Sequence, residues 1–287
     1  MKSELAKTIE IGFPTRNRWS DVRRTLSHIA DFGLGGLTIR ILDDGSDEPC
    51  PFDVKTICPH AVLERHEESK GMIVRRNQIA RAMSSRYYLG IDDDSYPAKG
   101  SLENALHFAE SKEDLFSLAF PIWNPVTKKW QVKSASTTPY PVRSFIGCGH
   151  MMRRDRFMEM GGFQEILGYF FEEPEVSTRA FLTGLRCYHF PELLFHHEHS
   201  NVARNWYRMD YYGARNNILL TDWYVPDDFQ LLRHAKVAAI RAYLWLRTLR
   251  SGHLSGQFQG VRELGKERHL RQRMTREQYA RWRKLPD

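Results

Sequence analysis

The chain has 287 residues, of which 41% are hydrophobic and 12% are aromatic, and its formal net charge is +7. This composition supports a folded core and excludes a globally disordered protein. No apolar run approaches the ~20 residues of a membrane-spanning helix, and the first residues do not read as a signal peptide. The four cysteines, Cys50, Cys58, Cys148 and Cys187, are scattered without metal-type spacing, which favours reduced thiols in a cytoplasmic protein.

The positive charge is concentrated in the C-terminal part. From residue 231 onward there are 14 Lys and Arg against 4 Asp and Glu, whereas the first 230 residues carry 28 bases and 31 acids. This basic tail contains a stretch with apolar residues at helical spacing between arginines, "KVAAIRAYLWLRTLR". Such a helix either packs on the body with its arginines in solvent, or lies on an anionic membrane surface or an acidic partner.

The predicted elements of the first half alternate between strands and helices. Strands are predicted over 8–14, 37–42, 61–66, 86–91 and 115–123, with helices over 21–32, 71–83 and 101–110 between them. This alternation predicts an α/β fold with a Rossmann-like, mostly parallel sheet and helices on both faces. The motifs "PTRN", "DDGS" and "DDDS" each follow a strand, so we expect them at one sheet edge, where such folds bind ligands.

Past about residue 125 the pattern changes. We predict a hairpin over 126–136, a glycine-interrupted strand over 144–154, and a helix over 155–163 that ends in a Gly-Gly turn. A further helix begins at glutamates within 169–185, and a histidine-rich strand and loop follow over 187–200. Because neither a repeat nor a low-complexity linker is present, one main domain followed by a helical basic tail is the simplest organisation.

The triple aspartate requires a positive partner, because three adjacent like charges repel one another. Asp92 and Asp94 flank Asp93 at strand spacing, so we expect both to project to the same side. Paired carboxylates at a strand end suit Mg²⁺ or Mn²⁺, ions that also bind substrate phosphates. An ordinary acidic turn is the alternative.

A histidine cluster, "HHEH", offers further metal ligands. His197 and His199 alternate, so one strand face could present both to the aspartates. A surface loop is the alternative, since histidine clusters also occur there.

Two other polar motifs suit a nucleotide. Asp44, in "DDGS", could accept hydrogen bonds from a ring N–H such as that of uracil, although a plain turn also explains the motif. Arg76 could steady a phosphate, or could be a solvated helix arginine.

A pair of glutamates, Glu172 and Glu173, follows three aromatic residues at the start of a predicted helix. A carboxylate beside aromatic surface can have a raised pKa, which suits a general base. Favourable charge at a helix N-terminus is the alternative explanation.

In their order and spacing, these motifs resemble family 2 nucleotide-sugar glycosyltransferases of the GT-A fold. The match runs through "PTRN", "DDGS", "RN" before a strand ending in "DDD", "GGF", and "EE" with a later arginine and histidine, over residues 8–200. The segment "YYGARNNILL" is similar to the post-catalytic helix of bacterial members that make surface polysaccharides. The resemblance implies a GT-A catalytic domain over 1–225, with a nucleotide-binding half at about 1–125 and an acceptor half at about 126–225. A basic helical extension would occupy 226–287.

The resemblance also implies roles for individual residues. The residues implied to bind the donor are Pro14, Thr15, Arg16, Asp43, Asp44, Arg76 and Asp93. Mn²⁺ or Mg²⁺ would be bound by Asp92 and Asp94, the DxD motif, with His197 or His199 completing the site. Glu173 matches the family's catalytic base; because the pair is Glu-Asp in the family and Glu-Glu here, Glu172 is a second candidate.

The implied reaction moves a sugar from a nucleotide-diphosphate donor, most often a UDP-sugar, to a hydroxyl of a carbohydrate or lipid-linked acceptor. One displacement would invert the anomeric configuration, in polysaccharide or glycolipid biosynthesis. The metal would neutralise the diphosphate while the base takes the acceptor's proton. We expect a cytoplasmic protein, and peripheral contact of the tail with the anionic inner face of the cell membrane is a separate hypothesis.

Two other functions fit parts of the sequence. A sugar-phosphate nucleotidyltransferase would share the sheet and the metal, but no Gly-rich, lysine-bearing phosphate loop occurs near the N-terminus. A non-catalytic protein could bind membrane or nucleic acid through its tail. The acidic strand ends would then repel phosphate without a metal, so nucleic acid is not an expected partner.

Overall fold

A computed structural model describes residues 2–199 and 205–287. The strands are β1 (Ile9–Thr15), β2 (Ile39–Asp44), β3 (Ala61–His66), β4 (Tyr87–Gly90), β5 (Ser95–Lys99), β6 (Leu115–Ala119), β7 (Ile122–Asn124), β8 (Lys129–Val132), β9 (Tyr140–Val142), β10 (His150–Arg153), β11 (Arg186–His189) and β12 (Leu194–His197). The helices are α1 (Lys2–Thr8), α2 (Trp19–Asp31), α3 (Met72–Ala82), α4 (Leu102–Glu110), α5 (Arg154–Glu159), α6 (Glu172–Leu182), α7 (Trp206–Tyr224), α8 (Asp227–Thr248), α9 (Gly252–Glu263) and α10 (Arg276–Lys284).

Eight strands form the central sheet in the order β3-β2-β1-β4-β10-β6-β11-β9. The pairs β1–β2, β1–β4, β2–β3 and β6–β11 are parallel. β10 runs antiparallel between β4 and β6, and β9 is an antiparallel edge strand. Helices connect the first parallel strands, so the predicted α/β class with a mostly parallel sheet is confirmed.

The prediction of one strand over 115–123 is wrong. β6 belongs to the central sheet, whereas β7 belongs to a second sheet of order β5-β12-β7-β8. The chain changes sheets at Pro121, which has no N–H to donate to a strand partner; its carbonyl accepts a hydrogen bond from Phe195 N at 2.9 Å. The second sheet brings β12 and its histidines next to the triple aspartate, because β5 directly follows that turn and pairs with β12.

Two apolar layers cover the faces of the central sheet. In β4, the side chains of Tyr87 and Leu89 belong to one buried cluster and that of Tyr88 to the other. This alternation follows from the two-residue repeat of a strand, and it explains why the strand reads as an uninterrupted apolar run.

The basic tail is helical, as predicted, and it packs on the body. Three glycines four residues apart, Gly252, Gly256 and Gly260, face α7 and let α9 lie close against it. A Cβ placed on Gly256 would lie 2.1 Å from the carbonyl oxygen of Tyr211. Only a residue without a side chain fits there.

The last residues of the described chain also contact the part that carries the central sheet. The rings of Trp282 and Phe181 lie 5.0 Å apart, and Arg143 N donates to the carbonyl of Pro286 at 2.8 Å. Arg271 forms two hydrogen bonds with Asp222, the longer of 2.9 Å. Among the described residues, no helix combines the length and apolar character needed to cross a bilayer.

Candidate active site

The triple aspartate lies in a turn at the carboxyl end of β4. The strand ends at Gly90, and Ser95 N donates to the carbonyl of Asp92 at 3.1 Å to close the turn. The strand-spacing argument for Asp92 and Asp94 is therefore wrong, because the chain has left the strand before reaching them. Their carboxylates contact different arginines.

Arg18 provides one of the positive charges that the aspartates require. Its Nη1 lies 3.0 Å from Asp93 Oδ1, and its Nη2 lies 2.6 Å from Asp94 Oδ2. Thr15, at the end of β1, donates to Asp93 Oδ2 at 2.7 Å. Burial raises the pKa of Asp93 to about 7, despite the opposing charge of Arg18. Asp93 thus joins the end of β1 to the start of α2.

His197 approaches Asp94 from β12, as predicted. Its Nε2 lies 3.1 Å from Asp94 Oδ1, and its Nδ1 is hydrogen-bonded to Gln131 Oε1 at 2.7 Å. Burial lowers the pKa of His197, but contacts with Asp94 and Cys148 outweigh it and raise the pKa to about 11. Burial likewise opposes ionisation of Asp94, yet His197 and Arg18 hold its pKa well below the usual range. The two groups form an ion pair.

Cys148 belongs to the same cluster, and the sequence interpretation missed it. Donor atoms of Asp92, Cys148 and His197 lie within 4.8 Å of one another, a grouping able to hold a metal ion. Cys148 precedes β10 and is 1% exposed. No spacing rule could find this set, because its members come from three segments far apart in the chain. The only indication in the sequence is that Cys148 lies between two glycines, which suggests that other groups pack closely against the backbone there.

His199 lies beside His197, with the ring centroids 4.8 Å apart in a stacked arrangement. The prediction that one strand face presents both rings is wrong, because β12 ends at His197. The Nδ1 of His199 lies 2.8 Å from Asn124 Nδ2. The His199 ring therefore packs against the face of the His197 ring.

Arg76, on α3, connects the aspartate turn to the glutamate pair. Its Nη2 lies 2.6 Å from Asp92 Oδ1, and its Nη1 lies 3.0 Å from Glu172 Oε1 and 3.8 Å from Glu173 Oε1. The Arg76 side chain is 1% exposed, so the alternative of a solvated helix arginine is wrong. Arg76 is therefore a buried positive charge shared by Asp92 and the two glutamates.

The two glutamates differ in access. The side chain of Glu172 is 2% exposed, whereas that of Glu173 is 15% exposed and accepts a hydrogen bond from Gly147 N at 2.9 Å. Burial, with the neighbouring charge of Glu173, raises the pKa of Glu172 to about 8. Burial also raises the pKa of Glu173. Glu173 is therefore the more accessible of the two carboxyl groups.

A strained loop positions both glutamates. Phe170 and Phe171, just before α6, have φ angles of 64° and 73°, a conformation that costs energy for residues with a side chain. The side-chain amide of Asn216 donates to the carbonyls of Leu167, Tyr169 and Phe170 at 3.0, 2.9 and 2.8 Å. Asn216, on α7, therefore acts as a clamp: its hydrogen bonds fix the loop that precedes α6 and so set the positions of Glu172 and Glu173.

Asp44 is engaged with the protein on both oxygens. It accepts hydrogen bonds from Ser69 Oγ, Lys70 N, Gly71 N and Arg75 Nε, at 2.7 to 2.9 Å. A carboxylate offers about four acceptor positions, and all four are used here. A nucleobase could therefore form a hydrogen bond with Asp44 only after displacing one of these donors.

The remaining predicted donor-binding residues lie at the same edge. Asp43 is fully buried and accepts hydrogen bonds from the backbone N and the hydroxyl of Ser46, which shapes the "DDGS" turn. At the end of β1, Pro14 is half-buried and Arg16 is exposed. The strand ends therefore bring the predicted residues to one edge, but with different degrees of access.

Comparison with known proteins gives the chain's family. The model of glycosyl transferase family 2 matches residues 10–168. A pre-mycofactocin glycosyltransferase of Mycobacterium tuberculosis is 27% identical over 225 residues, which cover 72% of this chain and 46% of the relative. The chain thus spans about half the length of the curated relatives it matches.

Solved structures show the same fold at low sequence identity. S. aureus TarS 1–349 in complex with UDP-GlcNAc has a TM-score of 0.60 at 12% identity, covering 90% of this chain and 80% of TarS 1–349. The mannosyltransferase PcManGT of Pyrobaculum calidifontis, in complex with GDP-Man and Mn²⁺, has a TM-score of 0.56 at 15% identity, with coverages of 95% and 77%. GalNAc-T7 with UDP, GalNAc and Mn²⁺ has a TM-score of 0.57 at 14% identity, with coverages of 76% and 51%. The chain has the GT-A fold and belongs to glycosyl transferase family 2.

Proposed function

We propose that the chain is an inverting, metal-dependent glycosyltransferase that moves a hexose from a nucleotide-diphosphate sugar, a UDP-sugar, to a hydroxyl of a carbohydrate or lipid-linked acceptor. The observation that carries this proposal is the position of Arg76, between Asp92 and the two glutamates. It places candidate metal ligands and a candidate base on either side of one guanidinium. The nucleotides and Mn²⁺ named for the similar solved structures support the donor and the ion. The proposed role is in polysaccharide or glycolipid biosynthesis.

The residues at the aspartate turn fit a divalent cation, Mn²⁺ or Mg²⁺. Asp92 and Asp94 are the proposed carboxylate ligands, and His197 is the proposed imidazole ligand. Its Nδ1 is held by Gln131, which leaves Nε2 directed at the aspartates, a common arrangement for metal-binding histidines. When bound, the cation would neutralise the diphosphate leaving group. Arg76 would steady a phosphate oxygen from the other side.

Glu173 is the proposed base. It would take the proton from the acceptor hydroxyl, whose oxygen attacks the anomeric carbon from the face opposite the diphosphate. Burial raises the pKa of Glu173, which makes its carboxylate a stronger proton acceptor than that of an exposed glutamate. Glu172, almost fully buried, would hold Arg76 in place. One displacement inverts the configuration and needs no covalent enzyme intermediate.

The donor would lie across the ends of β1 and β2. Pro14, Thr15 and Arg16 would line the nucleoside pocket. Asp43 would support the "DDGS" turn. Asp44 would bind the nucleobase of the donor once one of its present hydrogen-bond donors is displaced. Asp93 would hold Thr15 and Arg18 in place at the bottom of this pocket. In this proposal residues 1–225 form the catalytic domain, with an acceptor half from about 126, and 226–287 form the extension.

A thermal-shift screen of nucleotide diphosphates and their sugars, with and without Mn²⁺, tests the donor site. A ligand that binds only the folded state raises the melting temperature. We expect a metal-dependent rise with uridine diphosphate and its sugars. The absence of a shift with every nucleotide would contradict the proposal.

We also propose peripheral contact between the basic tail and an anionic membrane. α8 presents an apolar stripe to solvent: Leu231, Leu232, Tyr243 and Leu246 are each 60% exposed or more. Their spacing places them on one side of the helix, whereas Val237 faces inward and is buried. A helix whose outward face is apolar resembles one that lies in a bilayer interface.

Charge favours an anionic surface over a second copy of the chain. Lys236 and Arg247 are exposed at the edge of the stripe, and the segment from residue 231 carries ten more bases than acids. The acids at the start of α8, Asp227 and Asp228, pair with Arg273 and Arg276. Two copies meeting through this face would bring like charges together.

Flotation with vesicles containing phosphatidylglycerol tests the membrane contact. We expect binding that weakens at high salt and is lost when Leu232 and Leu246 are both replaced by Glu. Val126→Glu is the matched control, because Val126 is 67% exposed in the turn between β7 and β8, away from the tail. Binding that is absent, or that survives the double change, would contradict this part of the proposal.

A further inference from the structure

The thiol of Cys148 lies beside Asp92 and His197, two of the three ligands proposed for the metal. Its Sγ and donor atoms of Asp92 and His197 are all within 4.8 Å of one another. Three donor atoms at most 4.8 Å from one another lie within about 2.8 Å of a common centre. Metal–ligand distances are about 2.0 to 2.3 Å, so an inward movement of each donor by roughly 0.5 to 0.8 Å would complete the coordination. Sulfur, nitrogen and oxygen donors thus converge on one point.

The backbone around Cys148 leaves the thiol little freedom. A Cβ on Gly147 would lie 2.5 Å from the Arg76 guanidinium, and a Cβ on Gly149 would lie 3.1 Å from the ring of Phe195. The two glycines therefore allow the chain to pass between these side chains with Cys148 held between them. Cys148 is also 1% exposed, so its position is set by packing and not by solvent.

The donor set decides which ion fits best. Mg²⁺ prefers oxygen ligands and avoids thiolate, whereas Mn²⁺, Co²⁺ and Zn²⁺ accept nitrogen and, increasingly along that series, sulfur. We propose that Cys148 is a ligand of the metal held by Asp92 and His197, and that it makes the site select these ions over Mg²⁺. This inference rests on the metal site of the proposed function.

A cobalt titration of the full chain tests the ligand directly. Co²⁺ bound to a thiolate gives a sulfur-to-metal charge-transfer band in the near ultraviolet, which carboxylate and imidazole ligands do not give. We expect this band in the wild type and its loss in Cys148→Ser. Cys50→Ser is the matched control, because Cys50 is half-buried and its thiol contacts the carbonyl of Phe52.

Competition by Mn²⁺ and Mg²⁺ against bound Co²⁺ then measures selectivity. We expect Cys148→Ser to bind Mn²⁺ at least ~10-fold more weakly, with Mg²⁺ affinity nearly unchanged. Cobalt binding without the band in the wild type would overturn the role of Cys148 and leave the metal site standing. No cobalt binding at all would overturn both. The wild-type spectrum alone decides the ligand if Cys148→Ser fails to fold.

Discussion

Arg76 and Asp92 form an ion pair of 2.6 Å in which the arginine is almost completely buried. The same guanidinium contacts Glu172 at 3.0 Å, so it couples the aspartate turn to the start of α6. A displacement at the proposed leaving-group site would therefore be felt at the proposed base. This coupling gives the first prediction.

Replacing Arg76 by Met should destabilise the protein and abolish transfer. It leaves Asp92 and the two glutamates without their shared cation, and removing one partner of a buried ion pair costs about 3 to 5 kcal/mol. Urea unfolding measures the loss. Arg81→Met, on the exposed side of the same helix, is the control and should change stability by about 0.5 kcal/mol or less. Equal stability of the two variants would contradict the role of Arg76.

The Glu173→Gln variant should bind the donor yet transfer sugar about 10²- to 10⁴-fold more slowly, because it keeps the shape of the site and removes the base. Donor titration and a transfer assay separate the two effects. Glu172→Gln serves as the comparison and should retain more transfer activity. The reverse ranking would make Glu172 the base.

The raised pKa of Glu172 makes stability depend on pH. Burial shifts this pKa from 4.5 to about 8, so between these values the unfolded chain releases a proton that the folded chain keeps. Stability is therefore lost as pH rises through this window. We expect the unfolding free energy of the wild type to fall relative to that of Glu172→Gln between about pH 5 and 8. A relative gain over this range would rule out the raised pKa.

Asn216→Ala should slow transfer with little effect on donor affinity. The change leaves three carbonyls of the loop before α6 without their donor, which costs about 1 to 3 kcal/mol for a buried group and loosens the aim of Glu173. Steady-state kinetics and donor titration measure the two effects. Asn217→Ala, one residue on and less buried, should leave both unchanged. Equal kinetics of the two variants would contradict the clamp.

Gly256→Ala should lower the melting temperature, because its methyl group would meet the carbonyl of Tyr211 and push α9 off α7. Ser255→Ala, the preceding residue on the same helix, should have a much smaller effect. A melting temperature unchanged by Gly256→Ala would mean that α9 is not packed as described.

Much of the fold was predictable from local patterns. The alternation of strands and helices up to about residue 125 predicted the parallel sheet, since each buried strand reads as an apolar run bounded by polar turns. The change of sheet at Pro121 was not predictable. It depends on β12, far along the chain, which gives β7 and β5 their partner.

The site was predictable in its residue types but not in its pairing. Asp92, Glu173 and His197 were proposed as site residues from the sequence, whereas Arg18 and Cys148, which contact or adjoin them in the structure, were not. Arg18 directly follows the motif "PTRN". Its position at the same predicted sheet edge as the aspartates could have indicated that it contacts them. Cys148 could not be found in this way, because only the folded chain brings its thiol to residues in two other segments.

The measurement that tests the central claim most directly is release of nucleotide diphosphate from a panel of nucleotide sugars. Each sugar is incubated with wild type and with Glu173→Gln, in Mn²⁺ or in chelator, and the anomeric configuration of the product is read by NMR. We predict release from a uridine diphosphate sugar that requires the metal, fails in Glu173→Gln and gives an inverted anomer. Release that persists in chelator, or a retained anomer, would contradict the account.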